Sequence, residues 1–207
     1  MIAIINYGIS NLGSVSRALT RLGAAYEIVE EADQLYDASH LILPGVGSFK
    51  DGMNSLRVRG WVDAIRDAVL KDKIPVLGIC LGMQLLASQG TECGDAEGLG
   101  LIPGKVVHLR SIGCEQRVPH AGWNNISFIN KECPLFSGIP ENTDFYFVHS
   151  YTFQPKLEEH IAAITNYSVP IVAVVGSDII WGTQFHPEKS SKTGMRLLKN
   201  FLGVMGC

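Results

Sequence analysis

The sequence contains no basic tract, no C-x-x-C pair, no long apolar run, and no internal repeat or low-complexity segment. Charged residues make up only 18% of the 207 residues, and the formal net charge is -3. This charge balance does not favour a nucleic-acid partner. The longest apolar runs have the length of a strand and are too short to cross a bilayer, so we also expect no membrane partner.

Cysteine is present, but its pattern excludes two common uses. The five cysteines, at positions 80, 93, 114, 133 and 207, form an odd-numbered set without metal-ligand spacing. This pattern argues against a disulfide framework or a zinc site and favours a reducing compartment. Residues 1–5 lack the basic start of a signal peptide. We therefore expect a cytoplasmic protein that holds no metal and no cofactor.

The first half of the chain alternates apolar strands with amphipathic helices. The predicted strands cover residues 2–5, 26–29, 41–43 and 75–79. Apolar residues at helical spacing predict one helix through residues 15–22, capped by Asn11 or Ser14 and ended by Gly23, and another through 61–69. This order predicts a parallel sheet with helices on both faces and a ligand crevice at the carboxyl ends of its strands.

In the second half the pattern changes to short β-rich pieces separated by proline and glycine turns. The pieces cover residues 105–109, 123–128, 145–153, 161–166 and 171–175. A last strand at 179–185 and a closing helix follow. We interpret residues 1–207 as one α/β domain, in which a central, mainly parallel sheet flanked by helices carries a smaller antiparallel β extension.

Cys80 lies where a buried strand meets a helix that we expect to end near Gly90. Gly78 and Gly82 flank it and give G-x-C-x-G, the cysteine version of the sharp strand-to-helix turn that exposes a nucleophile. The positive end of the helix favours a thiolate over a thiol, and so favours attack on a carbonyl. Free cysteine is also among the most buried residue types, so the motif alone leaves a structural cysteine equally open.

His186, Pro187 and Glu188 form the second signal. In an extended segment, residues two apart share a face, so His186 and Glu188 are expected to point the same way. A carboxylate so placed holds an imidazole in one tautomer and leaves its other nitrogen free to meet a thiol. Because this segment ends a strand, as Cys80 does, the two groups can meet at one edge of the sheet. His40 and His160 lie next to other polar residues and are interpreted as surface or hydrogen-bonded core histidines.

Two motifs together identify a family resemblance. Residues 78–84 and 184–188 resemble the signature pair of the class I (triad) glutamine amidotransferases, whose glutaminase domain uses a Cys-His-Glu triad. Residues 43–49, 119–124 and 146–151 further resemble the glutaminase subunits of imidazole glycerol phosphate synthases, from histidine biosynthesis. The resemblance implies a flavodoxin-like fold and hydrolysis of L-glutamine to glutamate and ammonia through a thioester intermediate.

The resemblance also assigns roles to residues. Cys80 would be the nucleophile, His186 the proton carrier and Glu188 its orienting carboxylate. The Leu81 N–H and one N–H from the loop of Gly45, Val46 and Gly47 would bind the oxyanion. The residues implied to hold the substrate are Gln84, His149, Ser150 and Tyr151. Each role has a structural alternative. The loop of Gly45, Val46 and Gly47 could be an ordinary β-to-α turn, Gln84 a solvent-facing helix residue, and residues 149–151 part of a core strand.

A partner is implied as well, because ammonia released into water at neutral pH mostly protonates and loses its nucleophilicity. The family's partner is a (β/α)₈-barrel cyclase, which forms a heterodimer with the glutaminase, takes the ammonia through a shielded path and makes imidazole glycerol phosphate and AICAR. Asn11 and Trp123 are the candidate contacts, and core packing is the alternative for Trp123.

The loop at residues 6–12 departs from the family pattern, since Asn6 stands where Asp is common. A paralogous class I glutaminase that feeds surface-sugar amidation, or pyridoxal phosphate or anthranilate synthesis, therefore stays an alternative. A non-enzymatic binding module of the same fold would be expected to lack Cys80, His186 or Glu188.

Overall fold

Residues 1–35 and 37–206 form fourteen strands and five α-helices in the computed structural model, which leaves Tyr36 and Cys207 undescribed. The strands are β1 (Ile2–Ile5), β2 (Tyr26–Val29), β3 (His40–Gly45), β4 (Val76–Cys80), β5 (Gln89–Gly90), β6 (Ala96–Glu97), β7 (Gly104–His108), β8 (His120–Asn125), β9 (Ser127–Phe128), β10 (Asp144–His149), β11 (Tyr151–Pro155), β12 (Ile161–Asn166), β13 (Pro170–Ser177) and β14 (Ile180–Thr183). The helices are α1 (Leu12–Arg21), α2 (Phe49–Val58), α3 (Trp61–Leu70), α4 (Leu81–Leu85) and α5 (Ser191–Phe201). Within those described ranges, no helix has the combination of length and apolar character needed to span a bilayer.

The largest sheet has eight strands in the order β2-β1-β3-β4-β14-β13-β12-β9. The five strands from β2 to β14 run parallel. The remaining three, β13, β12 and β9, continue the sheet in antiparallel fashion. The predicted α/β fold, with a mainly parallel centre and an antiparallel extension, is confirmed.

Two smaller sheets lie beside the large one. β8 pairs with β10, and β11-β7-β5-β6 form a four-stranded sheet. The predicted continuous piece at residues 145–153 is wrong, because Ser150 separates β10 from β11 and each strand joins a different sheet. That break turns the chain at the edge where β4 ends.

The strands β1, β3 and β4 are buried along their whole length, because helices cover both faces of the sheet. Side chains alternate between the faces. One apolar cluster takes Ala3, Ile5, Leu41 and Leu43 with α2 and α3, and the other takes Ile2, Ile4, Ile42, Leu77 and Ile79 with α1 and α5. Burial of each such leucine or isoleucine stabilises the folded state by about 1.5–3 kcal/mol. This core therefore holds β4, and with it the end of the strand at Cys80, in a fixed position.

Local signals explain most helix boundaries. Gly23, with φ +69°, follows the last turn of α1 in the left-handed conformation that ends helices. Helix α2 is not among the predicted helices, although the Ser48 side chain accepts a hydrogen bond from the Asp51 N–H and caps it.

The helix after Cys80 is shorter than predicted, since α4 ends at Leu85 and Gly90 lies in β5. The reason is tertiary. The N–H of Leu99 donates to the Leu85 carbonyl, and those of Leu101 and Ile102 donate to the Leu86 carbonyl. A segment distant in the chain thus occupies the carbonyls at the helix end, and the helix does not continue.

Candidate active site

Cys80 sits at the turn from β4 into α4 with φ +55° and ψ -110°, a conformation that residues with a side chain rarely adopt. The turn is tight enough that a Cβ added to Gly78 would collide with the Gly82 backbone. One added to Gly82 would collide with the Leu43 carbonyl. The two glycines of G-x-C-x-G are therefore needed for close approach of the turn to its neighbours, and the strained residue between them faces a cavity.

That cavity has a volume of about 290 Å³ and opens at the carboxyl end of the sheet. It collects nine of the predicted site residues, namely Val46, Gly47, Cys80, Leu81, Gln84, His149, Ser150, Tyr151 and His186. Glu92 and Val148 also line it and were not predicted. Gly45 and Glu188 lie behind the wall, and neither Asn11 nor Trp123 reaches the cavity.

His186 and Glu188 form a buried pair. The His186 Nδ1 lies 2.8 Å from the Glu188 Oε1, and the two side chains are only 4% and 1% exposed. The pairing differs in detail from the prediction, because Pro187–Lys189 form a 3₁₀ turn that folds the carboxylate back onto the ring. With Nδ1 held by the carboxylate, Nε2 remains for a second partner.

Charge as well as geometry links this pair to Cys80. Burial alone would lower the pKa of His186, but hydrogen bonds to Cys80 and Glu188 and the negative charges of both groups raise it to about 9. The imidazole is thus stabilised in its charged form by its two neighbours. The Cys80 sulfur is also 3.9 Å from the Gln184 Nε2, which donates to it.

Gln84 is buried, with 4% of its surface exposed, so the solvent-facing alternative is wrong. Its Nε2 donates to the Tyr151 carbonyl and to the Gln184 Oε1, at 3.0 Å each. Both amide hydrogens are therefore used within the protein. Only the Gln84 Oε1 is left to accept a hydrogen bond from a ligand in the cavity.

A pair of neutral histidines supports the opposite wall. The His149 Nδ1 lies 2.8 Å from the Tyr151 carbonyl oxygen, an acceptor only, so this nitrogen carries the hydrogen. The His149 Nε2 then accepts from the His120 Nδ1 at 3.0 Å, and the His120 Nε2 accepts from Asn124 at 3.3 Å. Burial lowers the pKa of His120 to about 4.

The pKa of His149 is lower still. Burial and the charges of His120 and His186 outweigh the hydrogen bond to the Tyr151 carbonyl and bring it to about 3. Both rings therefore stay uncharged at neutral pH and fix the backbone at Tyr151. His120 belongs to one of the motifs that carry the family resemblance but has no predicted role, because only the tertiary fold places it against His149.

The loop of Gly45, Val46 and Gly47 closes the cavity on the other side of Cys80. The Val46 N–H donates to the Ile9 carbonyl at 3.4 Å, so it is not directed at Cys80. Leu81 begins α4, and its N–H belongs to the set of helix N-terminal donors without a helical partner. One expected oxyanion donor is therefore near the nucleophile and the other is turned away.

Asn11 and Trp123 lie on the surface away from the cavity. Trp123, on β8, is 54% exposed and touches Tyr146 edge-on, so it is not a core residue. Asn11 occupies the N-cap position of α1 without a side-chain capping hydrogen bond. Within the described part of the chain, neither side chain takes part in a hydrogen bond.

The described cysteines, Cys80, Cys93, Cys114 and Cys133, are all free thiols. Of these, Cys114 and Cys133 are buried away from the cavity, and Cys93 is exposed. Among these four, Cys80 alone combines the strand-to-helix turn with a histidine partner.

Comparisons with known sequences agree over nearly the whole length. The profile of the family described as Glutamine amidotransferase class-I matches residues 3–204. A protein of Geobacillus thermodenitrificans (strain NG80-2), named imidazole glycerol phosphate synthase subunit HisH, is 48% identical over 208 residues, covering 99% of this chain and 96% of the relative. One of Campylobacter jejuni (strain RM1221), named imidazole glycerol phosphate synthase subunit HisH 1, is 45% identical over 202 residues, covering 98% and 99%.

Solved structures share the fold at much lower identity. A crystal structure described as glutamine amidotransferase superposes with a TM-score of 0.76 at 20% identity and covers 98% of this chain and 97% of that one. The structure of PurLQS from Thermotoga maritima has a TM-score of 0.76 at 18% identity, with the same coverage. At these identities the likeness concerns the fold alone.

Proposed function

The chain belongs to the class I glutamine amidotransferases, and from that premise we propose that it is the glutaminase subunit of an imidazole glycerol phosphate synthase, acting in histidine biosynthesis. Two features support this proposal. Relatives that carry this name match the chain from end to end at 45–48% identity. The cavity also presents a cysteine and a carboxylate-bound histidine, the groups that amide hydrolysis requires.

In the proposed reaction, the Cys80 sulfur attacks the side-chain amide carbon of L-glutamine. His186, which already holds the proton of the Cys80 thiol, gives it to the departing nitrogen, which leaves as ammonia. Water then attacks the γ-glutamyl thioester and releases glutamate, with His186 as the base. Glu188 keeps the ring oriented throughout. The observation that carries this mechanism is the 2.8 Å contact between His186 and Glu188 behind Cys80.

We propose that the amino-acid end of glutamine binds on the far side of the cavity. The Gln84 Oε1 is the remaining acceptor there, and the Glu92 carboxylate lines the same space. Both suit an ammonium group. The segment from His149 to Tyr151, held in place by the neutral histidine pair, supplies backbone groups for the carboxylate.

The oxyanion hole is proposed to assemble from the Leu81 N–H and the Val46 N–H. The second donor becomes available only when the Gly45–Val46 peptide turns away from Ile9, and glycine on both sides of Val46 makes that turn inexpensive. Loss of one oxyanion donor typically costs about 3 kcal/mol of barrier. The loop as observed therefore corresponds to a weakly active state.

Control by a partner follows from this arrangement. We propose a heterodimer with a (β/α)₈-barrel cyclase, which receives the ammonia by a shielded path and depends on Asn11 and Trp123 for contact. The exposed Trp123 ring is the kind of aromatic anchor enriched at interfaces.

We also propose that residues 1–207 form a single glutamine amidotransferase domain, since β1 and β14 share one sheet.

The deciding experiment measures glutamate release with and without a barrel cyclase from the same source, each with and without the nucleotide ligand of the cyclase. We expect slow hydrolysis by the chain alone, strong stimulation by the liganded partner, and no turnover by Cys80→Ala with an unchanged melting temperature. Surviving turnover in Cys80→Ala would refute the mechanism. Full activity without any partner would refute the coupling.

A further inference from the structure

Tyr7 is a buried residue that takes no part in the reaction proposed above. Its side chain is fully buried directly after β1, and its hydroxyl has no hydrogen-bond partner among the described residues. Burial and the negative charge of Cys80 both raise its pKa, so the hydroxyl keeps its proton. An unpaired buried hydroxyl lowers the stability of a folded protein, which makes its presence here informative.

The hydroxyl lies against the loop that controls the oxyanion hole. A Cβ added to Gly45 would collide with the Tyr7 oxygen, and it would also press on the Leu81 Cβ. Tyr7 does not line the cavity, so it has no direct access to a substrate there. Any effect of its hydroxyl on the reaction must pass through the backbone of Gly45.

The geometry of a planar trans peptide supplies the link. The carbonyl of Gly45 and the N–H of Val46 point in opposite directions across the same peptide bond. In the structure the N–H points at the Ile9 carbonyl. When the peptide turns the N–H toward Cys80, the Gly45 carbonyl takes the place of that N–H on the Ile9 side. The Tyr7 hydroxyl lies against Gly45, beside this peptide. A carbonyl buried there requires a donor.

We infer that the Tyr7 hydroxyl is this donor, so that Tyr7 is a positioning residue that holds the Gly45–Val46 peptide in its active orientation. The inference rests on the proposed function, because it concerns the oxyanion hole of that reaction. The hydroxyl is without a partner in the observed loop conformation and gains one in the other. The hydroxyl therefore stabilises the active orientation of the peptide and makes no hydrogen bond in the resting orientation.

Tyr7→Phe tests this, because phenylalanine fills the same space and lacks only the O–H. In the liganded complex with the cyclase, we expect kcat for glutamate release to fall about three- to tenfold, the effect of one hydrogen bond, with little change in KM. The melting temperature of the variant should equal or exceed that of the wild type. The rate of Cys80 alkylation by iodoacetamide should be unchanged, since the triad is not altered.

Tyr26→Phe is the matched control, because it removes a tyrosine hydroxyl on β2 that already has a partner, the Thr20 hydroxyl of α1. We expect its kcat to equal that of the wild type. Equal kcat values for Tyr7→Phe and the wild type would overturn the inference alone. A lower melting temperature or slower alkylation in Tyr7→Phe would also overturn it, by pointing to a packing role. A wild-type complex that releases no glutamate would overturn the proposed function together with this inference.

Discussion

The two walls of the cavity are built in different ways. The triad wall, made of Cys80, His186 and Glu188, is assembled: the histidine is buried, paired at 2.8 Å and charged by its neighbours. The loop wall, made of Gly45, Val46 and Gly47, is not, because its Val46 N–H binds Ile9 and its central side chain is 41% exposed. In the proposed reaction, the triad wall supplies the groups that react with glutamine, and the loop wall supplies a hydrogen-bond donor on which their activity depends.

The separation has a physical basis. A buried ion pair is costly to rearrange, because each partner loses its compensation when the other moves. A short glycine-flanked loop at the surface exchanges one weak hydrogen bond for another at little cost. Under the proposed function, we therefore expect regulation to act on the loop wall without rearrangement of the triad wall.

The largest effect is expected from breaking the triad wall with Glu188→Gln, which keeps the size of the side chain but removes the charge that orients His186. We expect kcat to fall about 10³–10⁴-fold, as for triads in which the acid becomes an amide. Steady-state glutamate release by the liganded complex measures it. Glu159→Gln, on the surface, is the control, and a loss of less than tenfold in Glu188→Gln would show that the pair is structural.

A smaller effect is expected from the loop wall with Val46→Pro, which removes the backbone N–H altogether. Stimulated kcat should fall about 10²–10³-fold, the typical effect of one lost oxyanion donor. Val46→Ala retains the N–H and should keep most of the activity. If proline and alanine variants are equally active with the liganded partner, the Val46 N–H is not an oxyanion donor.

The smallest effect concerns stability and pH. The pKa of His186 is raised from 6.5 to about 9, so protonated His186 stabilises the fold fully below pH 6.5 and this contribution is lost as the pH rises through about 9. Over that window we expect the free energy of unfolding to decline by about 1–3 kcal/mol more in the wild type than in His186→Gln. Chemical denaturation at several pH values measures it.

The loop wall provides the contrast in the same experiment. Gly45, Val46 and Gly47 carry no titratable side chain, so Val46→Ala should show the wild-type pH dependence. Identical profiles for the wild type and His186→Gln would mean that His186 is not held charged in the folded state.

Sequence periodicity and local motifs predict the parts of this molecule that depend on near neighbours in the chain. β2 and β12 begin and end where predicted, because the residues on either side of their apolar runs mark the ends of the strands. The strand ends at Cys80 and near His186 could also be predicted, since the carboxyl ends of parallel strands meet at one edge. That rule is enough to bring most of the site residues together.

The parts that could not be predicted depend on contacts between distant segments. The end of α4 is decided by Leu99, Leu101 and Ile102, which no pattern near Cys80 reveals. Glu92 enters the cavity because the short strands after α4 return the chain to it. His120 and Tyr7 matter only through partners that lie far away in the sequence.

The central pairing of β4 with β14 also bears on how this protein is synthesised. Ile79 pairs with Thr183, so Cys80 and His186 follow strands that are adjacent in space and about a hundred residues apart in the chain. A ribosome that has completed only the first three quarters of the polypeptide has exposed Cys80 but has not yet made His186. Under the proposed mechanism, a nascent chain of this length lacks the base and cannot yet hydrolyse glutamine.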